Sequence, residues 1–281
     1  MGEETNINSN NMSDMDTYAR LLMVSDPLRD PVIRQVIREL DLPPGSKGLD
    51  AGCGIGLQTV LLAETVGPGG HVTGLDLSPD FLVHARTIAK KYGLSEQVTF
   101  QQGDVYHLPF ENNSFDWAWS VDCVGYAPMK PLPALKELVR VVKPGGMVVL
   151  LMWSSQKLLP GYPRLEARLN ATAAGIAPFV QGKKPEMHFM RLLGWLGKAG
   201  LQTPEAQTFV GNVCAPLRDE IRSALTALFD MRWGEAESEV SPKDWKLYQR
   251  LCQPGSKDFI LNLPDYYAFF TYSLFRGKVE K

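Results

Sequence analysis

Three glycines alternate with Cys53 and Ile55 in LDAGCGIG, residues 49–56, and Asp50 stands two positions before the first of them. Glycine lets a loop turn tightly and lets a ligand lie against main chain that a Cβ would otherwise cover. Gly52, Gly54 and Gly56 therefore read as the cradle of a small molecule. The spacing restricts which one. A dinucleotide fingerprint, GxGxxG, needs a glycine where Leu57 or Thr59 stands, and the Lys-Ser/Thr pair of a phosphate-binding loop is missing. Two further carboxylates close apolar runs, Asp76 in GLDLS and Asp104 in QQGDVYHLPF. Cys53, Cys123, Cys214 and Cys252 have neither CxxC nor Cys/His spacing, so no metal centre is expected. They read as reduced thiols of a cytoplasmic protein.

The elements that must position these residues follow from periodicity. KGLDAG, HVTGLDL, VTFQQGD, FDWAWSVD and MVVLLMW read as strands, several too continuously apolar to keep a wet face, as in a parallel sheet covered on both sides. LQTVLLAETV forms a helix between the first two. Ser78, Pro79 and Asp80 make the cap and first turn of another, whose Phe81, Ala85, Ile88 and Tyr92 share a face opposite Arg86, Lys90 and Lys91. Leu135, Leu138, Val139 and Val142 stripe a third, which KPGG ends. Strand and helix alternating in this way give a doubly wound α/β sheet with right-handed crossovers. Its ligand lies at the carboxyl ends of the strands, and LDAGCGIG is the first strand-to-helix loop.

Asp50, Gly52, Gly54 and Gly56, as DxGxGxG, resemble motif I of the class I methyltransferases that use S-adenosyl-L-methionine. GLDLS, QQGDVYHLPF and LVRVVKPGGMVVL fit further segments of that family in order, over residues 45–153. The chain is most similar to the small-molecule group that includes the ubiquinone and menaquinone C-methyltransferases. The resemblance implies a Rossmann-like, seven-stranded sheet, mostly parallel with an antiparallel last strand. It also implies a cofactor site. Asp50, Gly52, Cys53, Gly54, Gly56 and Leu77 would belong to it, a loop-bracing carboxylate being the alternative for Asp50, and Asp76 would bind the ribose, where two carboxylate oxygens match two vicinal hydroxyls. Gly103, Asp104 and Val105 would meet the adenine, and Ser120 would complete the set. His107 looks like a wall residue beside the adenine, and His188 carries less.

The implied chemistry is in-line displacement at a methyl group already activated by a sulfonium. Placement dominates, and a base is needed only if the acceptor must lose a proton. In this family the loop after the fourth strand borders the methyl donor, which makes Asp122 and Tyr126 of SVDCVGYAP the catalytic candidates. That loop lacks the Asn/Asp-Pro-Pro-Tyr/Phe motif of enzymes that methylate nucleic acid bases. An aminopropyl transferase and a non-catalytic cofactor-binding protein are the alternative readings, with an NAD-dependent oxidoreductase behind them because of the glycine spacing.

The rest of the 281 residues is consistent with one enlarged soluble domain, 44% hydrophobic and 21% charged. A net charge of −2 offers no field for nucleic acid or an anionic membrane, and no secretory signal or apolar run of about 18 residues is present. Residues 1–16 are polar and Asn/Ser-rich and read as unstructured, and PVIRQVIREL as an amphipathic helix leading into a domain over 17–281. HFMRLLGWLGKAGL fits a helix, TFVGNVCAPL a sixth strand and YYAFFTYSLFRG a seventh. Residues 154–187 and 217–263 are left over, the second with helical patterns in DEIRSALTALFDM and DWKLYQRLC. In small-molecule members such insertions cap the active site; thickening of the domain or a homodimer contact is the alternative. Tyr162, Phe179, Trp233, Trp245 and Tyr248, with Tyr266, Tyr267, Phe269 and Phe270, are expected to enclose a compact apolar or aromatic acceptor, core filling being the competing account.

Overall fold

Apolar runs with no wet side have to be covered on both faces, and helices supply the cover here. The computed structural model describes residues 14–126, 130–177, 179 and 184–280. The chain forms α1 (Asp14–Leu40), β1 (Lys47–Ala51), α2 (Leu57–Val66), β2 (His71–Asp76), α3 (Pro79–Lys91), β3 (Val98–Gln102) and β4 (Phe115–Val121). There follow α4 (Pro131–Val141), β5 (Val142–Lys157), α5 (Pro163–Asn170), α6 (Ala173–Ile176), α7 (Leu192–Lys198) and β6 (Leu201–Cys214). The last elements are α8 (Asp219–Trp233), α9 (Pro242–Cys252) and β7 (Tyr267–Val279).

One sheet contains all seven strands in the order β3-β2-β1-β4-β5-β7-β6. β7 is antiparallel to β5 and β6, and the other neighbouring pairs are parallel. This is the Rossmann-like sheet of class I methyltransferases. The strand order reverses between β1 and β4, so the loop after β1 opens at the switch point, where such sheets bind ligands. Leu62, Val66, Ala85 and Trp119 belong to the core on one face, Leu135, Leu138, Leu192 and Leu196 to that on the other.

Ser78 caps α3 by accepting the Phe81 N–H, with Pro79 in the first turn. Tyr92 leaves the face assigned to it: it is the C-cap of α3 and 48% exposed. The third striped helix also ends earlier than KPGG. α4 stops at Val141, and Val142 already pairs with Phe115. The next pair in register is Trp117 with Met147, so KPGG bulges out at the start of β5 rather than closing a helix.

PVIRQVIREL is the last third of a longer helix. α1 runs through Pro27 and Pro31, and although each removes a backbone donor, Leu28, Val32, Ile33 and Val36 bury against the core. Residues 1–13 of the polar N-terminal stretch lie outside the described residues. Among the described residues no helix is long and apolar enough to cross a membrane.

Candidate active site

The glycine loop, Asp76, the end of β4 and the helices above them enclose a cavity of about 480 Å³. Its floor is Gly52, Cys53, Gly54 and Asp76. Asp122, Cys123 and Tyr126 come from the loop after β4, Trp153 from β5 and Tyr272 from β7. α1 contributes Tyr18, Leu21, Leu22, Ser25, Leu28 and Arg29, while Ala174, Ala177, Leu228, Met231 and Arg232 come from the segments beyond β5.

The loop conformation explains its composition. Gly52, Gly54 and Gly56 all have positive φ, 79°, 53° and 79°. A Cβ on Gly52 would meet Cys123 Sγ at 2.3 Å, and one on Gly56 would meet Ala85 Cβ at 2.8 Å, so those two glycines permit packing. Gly54 differs. A Cβ there would have only Leu22 Cδ1, at 3.9 Å, nearby, so Gly54 leaves cavity space that a side chain would fill. Its N–H donates to Asp76 Oδ2 at 2.8 Å, and the Ser78 N–H donates to Asp76 Oδ1 at 3.0 Å. The carboxylate is thus fixed at the cavity edge with lone pairs remaining for a ligand.

Asp50 is 1% exposed and does not line the cavity. Its Oδ2 accepts the Thr59 hydroxyl at 2.6 Å, tying β1 to α2 beneath the loop. Burial pushes its pKa up to about 7, with the nearby Asp76 adding to the rise. Ser120 is also enclosed: its hydroxyl donates to the Ala51 carbonyl at 2.7 Å and accepts the Val124 N–H at 3.1 Å. The adenine-side candidates lie beyond the cavity wall. Gly103 donates to the Asp76 carbonyl at 3.0 Å, Leu77 is 67% exposed, and Val105 is buried against the sheet. Asp104 is half exposed and accepts the Tyr106 N–H at 2.9 Å. The His107 ring is on the surface, and His188 caps a short turn by accepting the Met190 N–H.

Asp122 and Tyr126 stand together in the cavity, with Ala127 and Pro128 outside the described residues. Asp122 has a φ of 48°, accepts the Trp153 N–H at 2.7 Å, and receives the Tyr272 hydroxyl at 3.4 Å. Burial raises its pKa above the ordinary carboxylate value; the Trp153 bond and the charges of Arg29 and Arg232 oppose that rise. Burial also raises the Tyr126 and Tyr272 phenols, so both remain neutral donors at physiological pH. Arg232 lies over the Trp153 ring, 5.5 Å from its centroid, and Phe270 stacks behind that ring at 4.7 Å.

Residues 49–146 match the model of a family described as a methyltransferase domain. Demethylmenaquinone methyltransferases of Bacillus cytotoxicus and Staphylococcus aureus are 39% identical to the chain over 136 and 138 residues. The alignments cover 47% and 48% of this chain and 54% of each relative, so the chain spans about half the length of the curated relatives it matches. Two solved structures share the fold. One is the Haloferax volcanii methyltransferase in complex with its Trm112 activator: TM-score 0.59, 18% identity, 95% of this chain and 96% of that one. The other is Haemonchus contortus phosphoethanolamine N-methyltransferase 2 with phosphomonomethylethanolamine and S-adenosylhomocysteine: TM-score 0.56, 18% identity, 97% and 59%.

Beyond residue 146 the structure departs from one expectation. Trp233, Tyr248, Tyr266 and Phe270 are buried in the core, Trp245 stacks on Tyr248 at 4.8 Å, Tyr162 packs against the core, and Tyr267 is 51% exposed. Phe179 lies edge-on to His188, and Phe269 is half-buried. None of these nine lines the cavity. Helical spacing turns the aromatics of α8 and α9 inward, so core filling wins. Leu228, Met231 and Arg232 face the domain instead. Sequence reasoning missed Tyr18, Arg29, Trp153, Arg232 and Tyr272. The repeat of Tyr18, Leu21, Leu22, Ser25, Leu28 and Arg29 at helical intervals was the available signal for the α1 wall.

Proposed function

We propose that the chain transfers a methyl group from S-adenosylmethionine to a small acceptor, with residues 154–187 and 217–263 as the cap on a single domain. The observation that carries this reading is Gly54: its missing side chain and the anchored Asp76 carboxylate open onto a cavity that Asp122, Tyr126 and Tyr272 also line. When bound, S-adenosylmethionine would supply an electrophilic methyl carbon, to which an electron pair of the acceptor would bond as the carbon–sulfur pair returned to sulfur. Gly52, Cys53 and Gly54 take the methionine end against main chain, and Asp76 accepts both ribose hydroxyls. Leu77, Gly103, Asp104 and Val105 hold the adenine end outside the cavity. Asp50 and Ser120 act through the loop they brace.

Asp122 is placed to take a proton. Two neutral donors orient it, and burial shifts its pKa toward neutrality, as suits a general base. Tyr126 donates a hydrogen bond to the acceptor, and Trp153 and Leu228 exclude water. The acceptor class is apolar or aromatic, in keeping with the quinone-type name of the curated relatives. The four cysteines are free thiols, which suits a reducing cytoplasm, and self-association into a homodimer would leave the cavity on each copy intact. The test is transfer from S-adenosylmethionine tritiated on the methyl, offered with fractionated small-molecule extracts. Label should enter a small acceptor with wild-type protein and fall at least tenfold with Asp76→Ala. Label entering only macromolecules would overturn the reading.

A further inference from the structure

Two guanidinium groups line the cavity from neighbouring helices, Arg29 on α1 and Arg232 on α8. Neither makes a salt bridge among the described residues, and the Nε of each is buried with no hydrogen-bond partner there. Arg29 Nη2 reaches the Leu22 carbonyl at 3.4 Å and Arg232 Nη1 the Ala177 carbonyl at 3.2 Å, and each guanidinium also meets a phenol oxygen, Arg29 that of Tyr272 and Arg232 that of Tyr126. The charges around them are few. Asp122 faces both arginines but already accepts from Trp153 and Tyr272, and Asp26, on the same helix as Arg29, lies outside the cavity wall. The remaining polar groups, Tyr18, Tyr126 and Tyr272, are neutral donors. A buried guanidinium Nε without an acceptor is costly, and two such groups lining one cavity with only neutral phenols and main-chain carbonyls as hydrogen-bond partners ask for an anionic oxygen ligand.

We infer that the methyl acceptor carries an anionic oxygen group, a carboxylate or an ionised enol or phenol, held by Arg232. This rests on the methyl-transfer reading and names the acceptor class. The shared chemistry has a second source, the carboxylate at the methionine end of the cofactor, and Arg29 is the candidate for it, because it lies on α1, whose Leu22 faces Gly54. Arg232 is separate from it in the chain's architecture: it belongs to the insertion, stacks over Trp153 and borders Tyr126. It is therefore the residue that reads the acceptor's charge.

The experiment uses the full chain saturated with S-adenosylhomocysteine and fluorine NMR of small fluorinated carboxylates, from acetate-sized to naphthoate-sized, each paired with its primary amide. Binding of S-adenosylhomocysteine itself is measured first by calorimetry. Its absence would sink the methyl-transfer reading without touching the charge comparison, which can be run on the protein alone. With cofactor product bound, at least one carboxylate should bind tenfold or more tightly than its amide. Arg232→Gln should remove that preference, Arg232→Lys should restore part of it, and both should keep S-adenosylhomocysteine affinity within threefold. Arg29→Gln weakening S-adenosylhomocysteine while leaving the carboxylate preference intact would assign Arg29 to the cofactor and the acceptor's anion to Arg232 alone. The inference is overturned if no carboxylate outbinds its amide, if Arg232→Gln keeps the preference, or if Arg232→Gln loses S-adenosylhomocysteine as strongly as the carboxylate.

Discussion

Replacing Asp50 by Asn should stabilise the protein at alkaline pH and leave it nearly unchanged near pH 4. The side chain is 1% exposed, and its one hydrogen bond in the structure is with Thr59 at 2.6 Å, which an asparagine carbonyl can also accept. Burial moves its ionisation from 3.8 to about 7. Between those values the folded protein holds a proton that the unfolded chain has released, so stability falls as pH rises through that window and is level above about 7. At about 1.4 kcal/mol for each pH unit, the full displacement corresponds to about 4 kcal/mol, and relaxation around the ionised group reduces this to about 2–4 kcal/mol. For a chain of this size that is a gain of roughly 4–8 °C in Tm for Asp50→Asn at pH 8. Thermal and urea unfolding of both proteins at pH 4, 5.5, 7 and 8 measures the difference, and ionisations common to both cancel. Parallel stability profiles, or an asparagine variant weaker at pH 8, would refute a buried, destabilised carboxylate at this position.

On the proposed ribose contact Asp76→Ala would remove two charge-assisted bonds of about 1.5–3 kcal/mol each, so S-adenosylhomocysteine should bind at least tenfold more weakly by calorimetry, with the fold retained by circular dichroism. Gly54→Val and Gly56→Val should separate binding from folding: the first, entering open space at a φ of 53°, should lower affinity at least tenfold for about 1–2 kcal/mol of stability. The second, driven into Ala85 and Phe100, should drop Tm by more than the first. Asp122→Asn should cut methyl transfer by about 100-fold or more while S-adenosylhomocysteine affinity holds within threefold. Wild-type transfer should decline on acidification at a pH above the ordinary carboxylate value, because protonation removes the base; a flat acid limb would argue against that role.

How much could be read in advance depended on whether a local signal or a distant contact decided the outcome. α2 spans LQTVLLAETV, and β1, β2 and β3 end within two residues of the runs that announced them, because burial on both faces leaves one pattern. Gly52, Cys53, Gly54, Asp76, Asp122 and Tyr126 come together in space, since strand ends at a switch point converge whatever the rest of the chain does. The α1 wall was hidden by Pro27 and Pro31, which normally mark a boundary; packing against α2, α3, α8 and β6 carries the helix through them. Arg29 and Arg232 gave no local signal, as their significance lies in lining one cavity from helices far apart in the chain. The aromatics of α8 and α9 misled for the opposite reason: large rings at helical spacing suit a pocket and a core equally, and only the direction of the helix decides.

The most direct measurement is titration calorimetry of the full chain with S-adenosylhomocysteine, S-adenosylmethionine and NAD in parallel. The alternating glycines and the anchored Asp76 carboxylate lead to saturable binding of both adenosyl compounds, lost on Asp76→Ala, and no heat with NAD. Saturable NAD binding with no response to S-adenosylhomocysteine would contradict the account.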